Sequence, residues 1–374
     1  MRKLLLTILF CLAPATLNAQ SDAPETIEFG GKTWRINAQE VRAESHLGRS
    51  ALFMKGGRIW LEGATFSDVV IEFDAAFDER QAFIGPQWRA DEQQNQFEEL
   101  YFRPHQSGKP DAIQYTPVEN GLSAWQIFSD LNATAAAEFN YGEWNRFKVV
   151  VKGGKADFYV NGGEPQLHMP DLKTDRTEGM VGLRVSGPVG EAYLSNISVR
   201  PLTASDNIVG TPKAPPTELP EGLITSWNVS TPFAEADVAT VLTLDDADSD
   251  LKWNKLETET NGIANLAKLA TADDNSDTVF VRLNVNADRA MMKELRFGYS
   301  DRVRIYLNGK RVYHGVAHWR ARDFRFLGTV GFFDSVGLDL KRGDNEVLVA
   351  VSETFGGWAW AGAIENQSGI KLSN

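Results

Sequence analysis

Polar and apolar residues alternate with a period of two along most of this chain, in short runs. In Phe97–Arg103 (FEELYFR), Glu99, Tyr101 and Arg103 share one parity and Leu100 and Phe102 the other. A strand throws successive side chains to opposite faces, so this run predicts a strand with one core face and one polar face. Alternation and β-branched runs predict further strands over Ser67–Phe77, Phe83–Arg89, Ala112–Thr116, Trp125–Ile127, Phe147–Val151, Ala156–Val160, Gly182–Val185 and Tyr193–Val199. Lys152-Gly153-Gly154-Lys155 and Asn161-Gly162 supply the residues that tight hairpin turns need. Trp144 is expected in the core with Phe147, Val149 and Val151.

Periodicity is lost over residues 201–222, which hold five of the chain's 15 prolines. This is a linker, semi-rigid at Pro215-Pro216, and few contacts are expected to cross it. Strands resume at Val238–Leu244, Thr278–Val285, Val303–Leu307, Arg311–Tyr313, Gly337–Leu340 and Glu346–Val351, with a short helix expected over Gly262–Ala272. The expected architecture is all-β. Two β-sandwich (jelly-roll) domains, 20–200 and 223–374, are joined by the Pro-rich linker 201–222.

Residues 1–19 (MRKLLLTILFCLAPATLNA) have two basic residues, an apolar run and a small residue at the end, the pattern of a secretory signal peptide. They predict a secreted or periplasmic protein with no membrane insertion. Cys11, the single cysteine, falls within them, so the exported chain has no disulfide. Loss of Arg2 and Lys3 takes the net charge from -12 to -14. Such an acidic chain does not bind nucleic acid nonspecifically, and it disfavours polyanionic glycans unless a local basic cluster overrides the average.

Three adjacent predicted strands each offer a polar row. The expected ligand-binding set is Arg89, Glu99, Tyr101, Arg103, His105 and Gln114, with Trp125 at the rim. A guanidinium fork, phenol, imidazole and amide suit a hydroxyl-rich partner, so carbohydrate is the expected ligand. Two other functions compete with plain binding. One is a glycoside hydrolase or polysaccharide lyase using the same polar face; the other is a non-catalytic envelope module that binds protein. Tyr101, His105 and Arg103 are lyase-type residues, whereas the hydrolase pattern fails: Glu72-Phe73-Asp74 lacks the third acid, Ala76 and Phe77 standing in its place. No cofactor is expected. Calcium is considered at Asp246, Asp248, Asp250 and Glu257, which fall at positions 1, 3, 5 and 12 of a calcium-loop pattern, but Leu251 stands where the sharp turn wants glycine. Oligomeric state is not readable.

Two resemblances add to this. Glu143–Val151 (EWNRFKVVV), Ala156–Gly162 (ADFYVNG), Gly182-Leu183 and Ser195-Asn196-Ile197 resemble the concanavalin A-like lectin/glucanase jelly roll, in the branch of the 3-keto-disaccharide hydrolase-like, family 16-like domains. Tyr306–Lys310, Leu340–Val347 and Phe355–Trp358 resemble a galactose-binding-like jelly roll of the kind appended to glycoside hydrolases. These resemblances imply scaffolds associated with sugars; they do not by themselves imply catalysis.

Overall fold

The computed structural model describes residues 25–130, 132–213, 218–244, 251–273, 275–318, 322 and 325–373. Among these, nearly all regular structure is strand. The helical pieces are single 3-10 turns at Pro104–Gln106, Glu235–Asp237 and Leu266–Lys268.

Between Thr26 and Pro201, fourteen strands form one continuous antiparallel sheet that rolls over on itself. The strand Arg49–Leu61 belongs to both layers. Its residues 52–55 pair with 191–194, and its residues 57–60 pair with 182–185. The change of layer falls at Gly56-Gly57. Gly56 has φ +59°, and a Cβ on Gly57 would lie 2.3 Å from Ala38 Cα, so the corner requires glycine. Buried between the layers are Ile59, Phe73, Trp88, Leu100, Phe102, Phe147 and Leu183. Phe102 and Phe147 stack with ring centres 4.0 Å apart.

The second half packs a seven-stranded sheet against a four-stranded one, around Trp227, Val281, Phe297, Val349, Trp358 and Trp360. The fold is therefore all-β and built of sandwiches, as the alternation predicts. Trp358 and Trp360 are both fully buried and belong to this second core.

Several local expectations fail for identifiable reasons. Trp125–Ile127 is not a strand. Gln126 N–H bonds to Gly356 O (2.9 Å) and Val330 N–H to Gln126 O (3.0 Å), so this segment answers to the second half of the chain rather than to its own sheet. Val238–Leu244 follows the 3-10 turn at Glu235–Asp237 and forms no strand. Gly262–Ala272 holds a two-residue strand and one 3-10 turn instead of a helix. Trp144 is not core. Its parity opposes that of Phe147, so it stands half-buried on the outer face, beneath the Arg49 guanidinium at 5.0 Å.

The two halves are also more closely joined than a bare linker implies. Ile263, Val330, Ala359 and Ala361 belong to the same apolar cluster as the first sandwich's core. Asn120 Nδ2 donates to Ala267 O (2.7 Å), Asn261 Nδ2 to Ile127 O (2.8 Å) and Leu327 N to Asp111 Oδ2 (2.9 Å).

Candidate ligand-binding face

The polar face is built from six neighbouring strands: Lys32–His46, Arg49–Leu61, Met180–Ser186, Phe83–Ala90, Phe97–Phe102 and Ile113–Glu119. Ile59, Leu183, Ile84, Leu100 and Phe102 turn into the core. Alternation then sends Arg58, Arg184, Phe83, Glu99 and Tyr101 to the other side. Register places Arg58 directly opposite Arg184, and Gln87 opposite Glu99.

Glu99 is the electrostatic centre of this face. Its carboxylate accepts from Arg184 Nη1 and from Gln87 Nε2. Tyr101 OH donates to Gln114 Oε1 (3.2 Å), and Arg103 Nη2 donates to the Tyr101 hydroxyl (3.2 Å) and to Gln114. Arg103 Nη1 donates to Asp111 O (2.6 Å), and Gln114 Nε2 donates to Trp125 O (2.6 Å) and Phe128 O (3.0 Å). Burial, the largest influence, pushes the Tyr101 phenol above its usual pKa, while the Arg103 cation acts the other way. His105 stands half-buried, edge-on to Phe83 at 5.8 Å. Burial lowers its pKa, and the Arg103 charge adds to the lowering.

The structure thus joins Tyr101, Arg103 and Gln114 in one buried network, with His105 at its margin, and sets Glu99 beside it in a second group with Gln87 and Arg184, whose guanidinium lies over the Tyr101 ring at 5.5 Å. Arg89 lies elsewhere, and Trp125 adjoins the network through its main-chain oxygen while its ring turns away. The register shifts between Met180 and Gly182 opposite the Gln87–Ala90 stretch, and Arg89 has φ +54°, so parity counted from Phe83 no longer holds there. Its guanidinium instead clamps main-chain carbonyls, donating to Ser67 O (3.0 Å) and Gly153 O (2.6 Å). Trp125 packs against Phe355 of the second half, with ring centres 6.2 Å apart. Of the calcium set, Asp246, Asp248 and Asp250 lie outside the described residues. Glu257 lies on the strand Trp253–Glu257, exposed, with Lys255 Nζ at 2.6 Å. Among the described residues no group of three or more His, Cys, Asp or Glu is placed to hold a metal.

Sequence reasoning missed Arg35, Arg58 and Arg184, all half-buried on the polar face. The signal was a lone basic residue between core positions, as in Val181–Val185 (VGLRV). What could not be seen was that three distant strands set these residues side by side.

Residues 30–200 match the family model of the 3-keto-alpha-glucoside-1,2-lyase-like domain. The match spans the first sandwich and leaves the second half of the chain outside it. Among solved structures, the chain is similar to a carbohydrate-binding module, CBM66, from Bacillus subtilis: 16% identity over 44% of this chain and 94% of that one, TM-score 0.34. It is also similar to a putative glycosyl hydrolase from Parabacteroides distasonis: 15% identity over 45% of this chain and 93% of that one, TM-score 0.34. A third is domain 4 of the extracellular arabinanase AbnA from Geobacillus stearothermophilus, in complex with arabinotriose: 14% identity, 46% and 83% coverage, TM-score 0.30. No curated protein matches the chain.

Proposed function

We propose that this is an exported carbohydrate-binding protein whose first sandwich takes a glycan on the six-strand polar face. The observation that carries this is the arrangement of half-buried Phe83, Arg58 and Arg184 over a fixed floor of Glu99 and Tyr101. Phe83 offers an aromatic ring between the Arg184 and Arg103 guanidinium groups, at 5.7 and 5.8 Å from its centre. Flat aromatic surface beside fixed donors and acceptors is what a sugar ring, with its C–H face and hydroxyl edge, demands. The match of residues 30–200 to a domain described by its action on a 3-keto-glucoside supports a carbohydrate partner. The signal-type sequence at residues 1–19 supports export.

Binding rather than hydrolysis is favoured by Glu72 and Asp74. They lie on the outer face and are engaged with Arg146 (3.1 Å) and Arg49 (2.6 Å), away from the polar rows. Calorimetric titration with a panel of neutral and acidic oligosaccharides tests the proposal. Arg184→Ala and Phe83→Ala are each expected to weaken binding roughly tenfold or more. Affinity untouched by both would move the glycan elsewhere, the outer groove of about 690 Å³ lined by Trp144 and Tyr159 being the next place to look. Sugar release from the same panel would show that chemistry follows binding.

A further inference from the structure

Within that reading, the charges on the polar face specify the ligand further. Arg58 and Arg184 face each other across adjacent strands, whose rows lie about 4.8 Å apart. Arg35 lies on the next strand, opposite Trp60, the residue two beyond Arg58. Among the described residues of these rows, Glu99 is the one carboxylate, and Arg184 already holds it. Arg103, the fourth guanidinium, turns to Asp111 instead, at 3.7 Å. Among the described residues Arg35 donates to the Met180 sulfur (3.4 Å), and its Nε is buried without a partner there. Arg58 lies over the Phe97 ring at 5.5 Å, and its Nε is likewise buried and unpartnered. Burial and the Arg184 charge both work against the Arg58 cation, and Glu99 alone among its neighbours supports it.

Arg184 and Arg58 therefore share one carboxylate, and Arg35 stands one strand further along, on a half-buried face of a protein whose formal net charge is -12. Cations held together with unspent donors are stabilised by an incoming anion, and more strongly where water is partly excluded. The planar fork of arginine matches a carboxylate two bonds at a time. Phe83, half-buried beside them, presents a ring face that suits a pyranose, with Tyr101 buried beneath as part of the floor. We infer that the polar face is a uronic-acid site, in which Arg58 and Arg35 hold the carboxylate of an acidic sugar while Phe83 meets its ring. This rests on the proposal that the same face binds glycan.

The test uses the full exported chain in calorimetry. The probes are oligogalacturonates and oligoglucuronates, their methyl esters as matched neutral ligands, and a sulfated oligosaccharide. The expected result is uronate binding that weakens with added salt and falls roughly tenfold or more on esterification. Arg58→Gln should bring acid and ester affinities together at an unchanged melting temperature. Arg35→Gln, at a more exposed strand, serves if Arg58→Gln does not fold. Equal affinity for acids and esters would overturn the uronate assignment and leave glycan binding standing. Binding of the sulfated ligand alone would overturn the carboxylate assignment in favour of a sulfated glycan. No binding to any probe would remove both the uronate site and the glycan reading on which it rests.

Discussion

Arg103 is almost wholly buried, at 1% exposure, and its guanidinium is engaged by Asp111, Tyr101 and Gln114. Its main task is to fix the loop Pro104–Asp111 against the floor of the polar face. Removing a buried cation strands the polar groups that surrounded it. Arg103→Ala is therefore expected to cost about 3–5 kcal/mol, read from the urea midpoint, before any effect on binding is considered. Trp144→Ala makes the opposite comparison. The indole stands half-buried on the outer face beneath the Arg49 guanidinium, so its loss should cost about 1 kcal/mol or less. Phe102→Ala, by contrast, opens a cavity in the stacked aromatic core, and about 3–5 kcal/mol is expected. A Trp144 cost as large as that of Phe102 would return the indole to the core.

At the scale of the strand, the polar face depends on close backbone approach. Gly85 lies in the strand Phe83–Ala90, where a Cβ would meet Leu100 O at 2.0 Å. Gly85→Ala should push that strand away from Phe97–Phe102, lowering the melting temperature and detaching Gln87 from Glu99. An alanine variant with the parent's melting temperature would show that the two strands have room to separate. The strand scale also separates what the sequence could disclose from what it could not. Phe147–Val151 and Ala156–Val160 were legible because β-branched and aromatic residues alternate there around glycine turns. So was the shared face of Glu99, Tyr101 and Arg103. Arg89 was misplaced because one register shift reverses parity, and nothing local announces it. Trp125 was misplaced because its partners lie more than two hundred residues downstream. The Arg35, Arg58 and Arg184 cluster was invisible for a related reason: each residue is an ordinary outward position of its own strand, and only the sheet order gathers them.

At the scale of the whole molecule, one titrating carboxyl, Glu119, lies where the two sandwiches meet, and a second, Glu353, is buried within the second half. Burial, the chief cause, raises the Glu119 carboxyl from 4.5 to about 7, with Lys268 of the second half opposing the shift. Burial, and then the neighbouring Asp301 charge, raise Glu353 from 4.5 to about 8. A carboxyl whose folded pKa is raised keeps its proton better when folded, so its contribution favours the fold below about 4.5. That contribution is lost as pH rises through the folded values, and levels off above about 8. Melting temperature is expected to fall across this window, and Glu353→Gln to flatten the decline and raise stability at its alkaline end. A profile unchanged by Glu353→Gln would show that this carboxyl does not titrate there. Because Ile263, Val330, Ala359 and Ala361 join the first core, cleavage in the linker should leave two fragments that copurify, and the intact chain should melt in one transition. Fragments that separate and melt as the parent does would make the halves independent. The linker itself has one more consequence. Leu167–Met169 is the last strand at one end of the first sheet, and beside it Asp157 accepts from Val209 N (2.7 Å) and Gly210 N (2.9 Å), while Lys213 Nζ reaches Gln166 O (2.7 Å). An uncovered rim of this sort templates the addition of another chain. Residues 209–213, held beside that rim, are therefore placed to act as a guard rail, and Asp157→Ala, which frees them, is expected to raise edge-to-edge association, read by light scattering at high concentration.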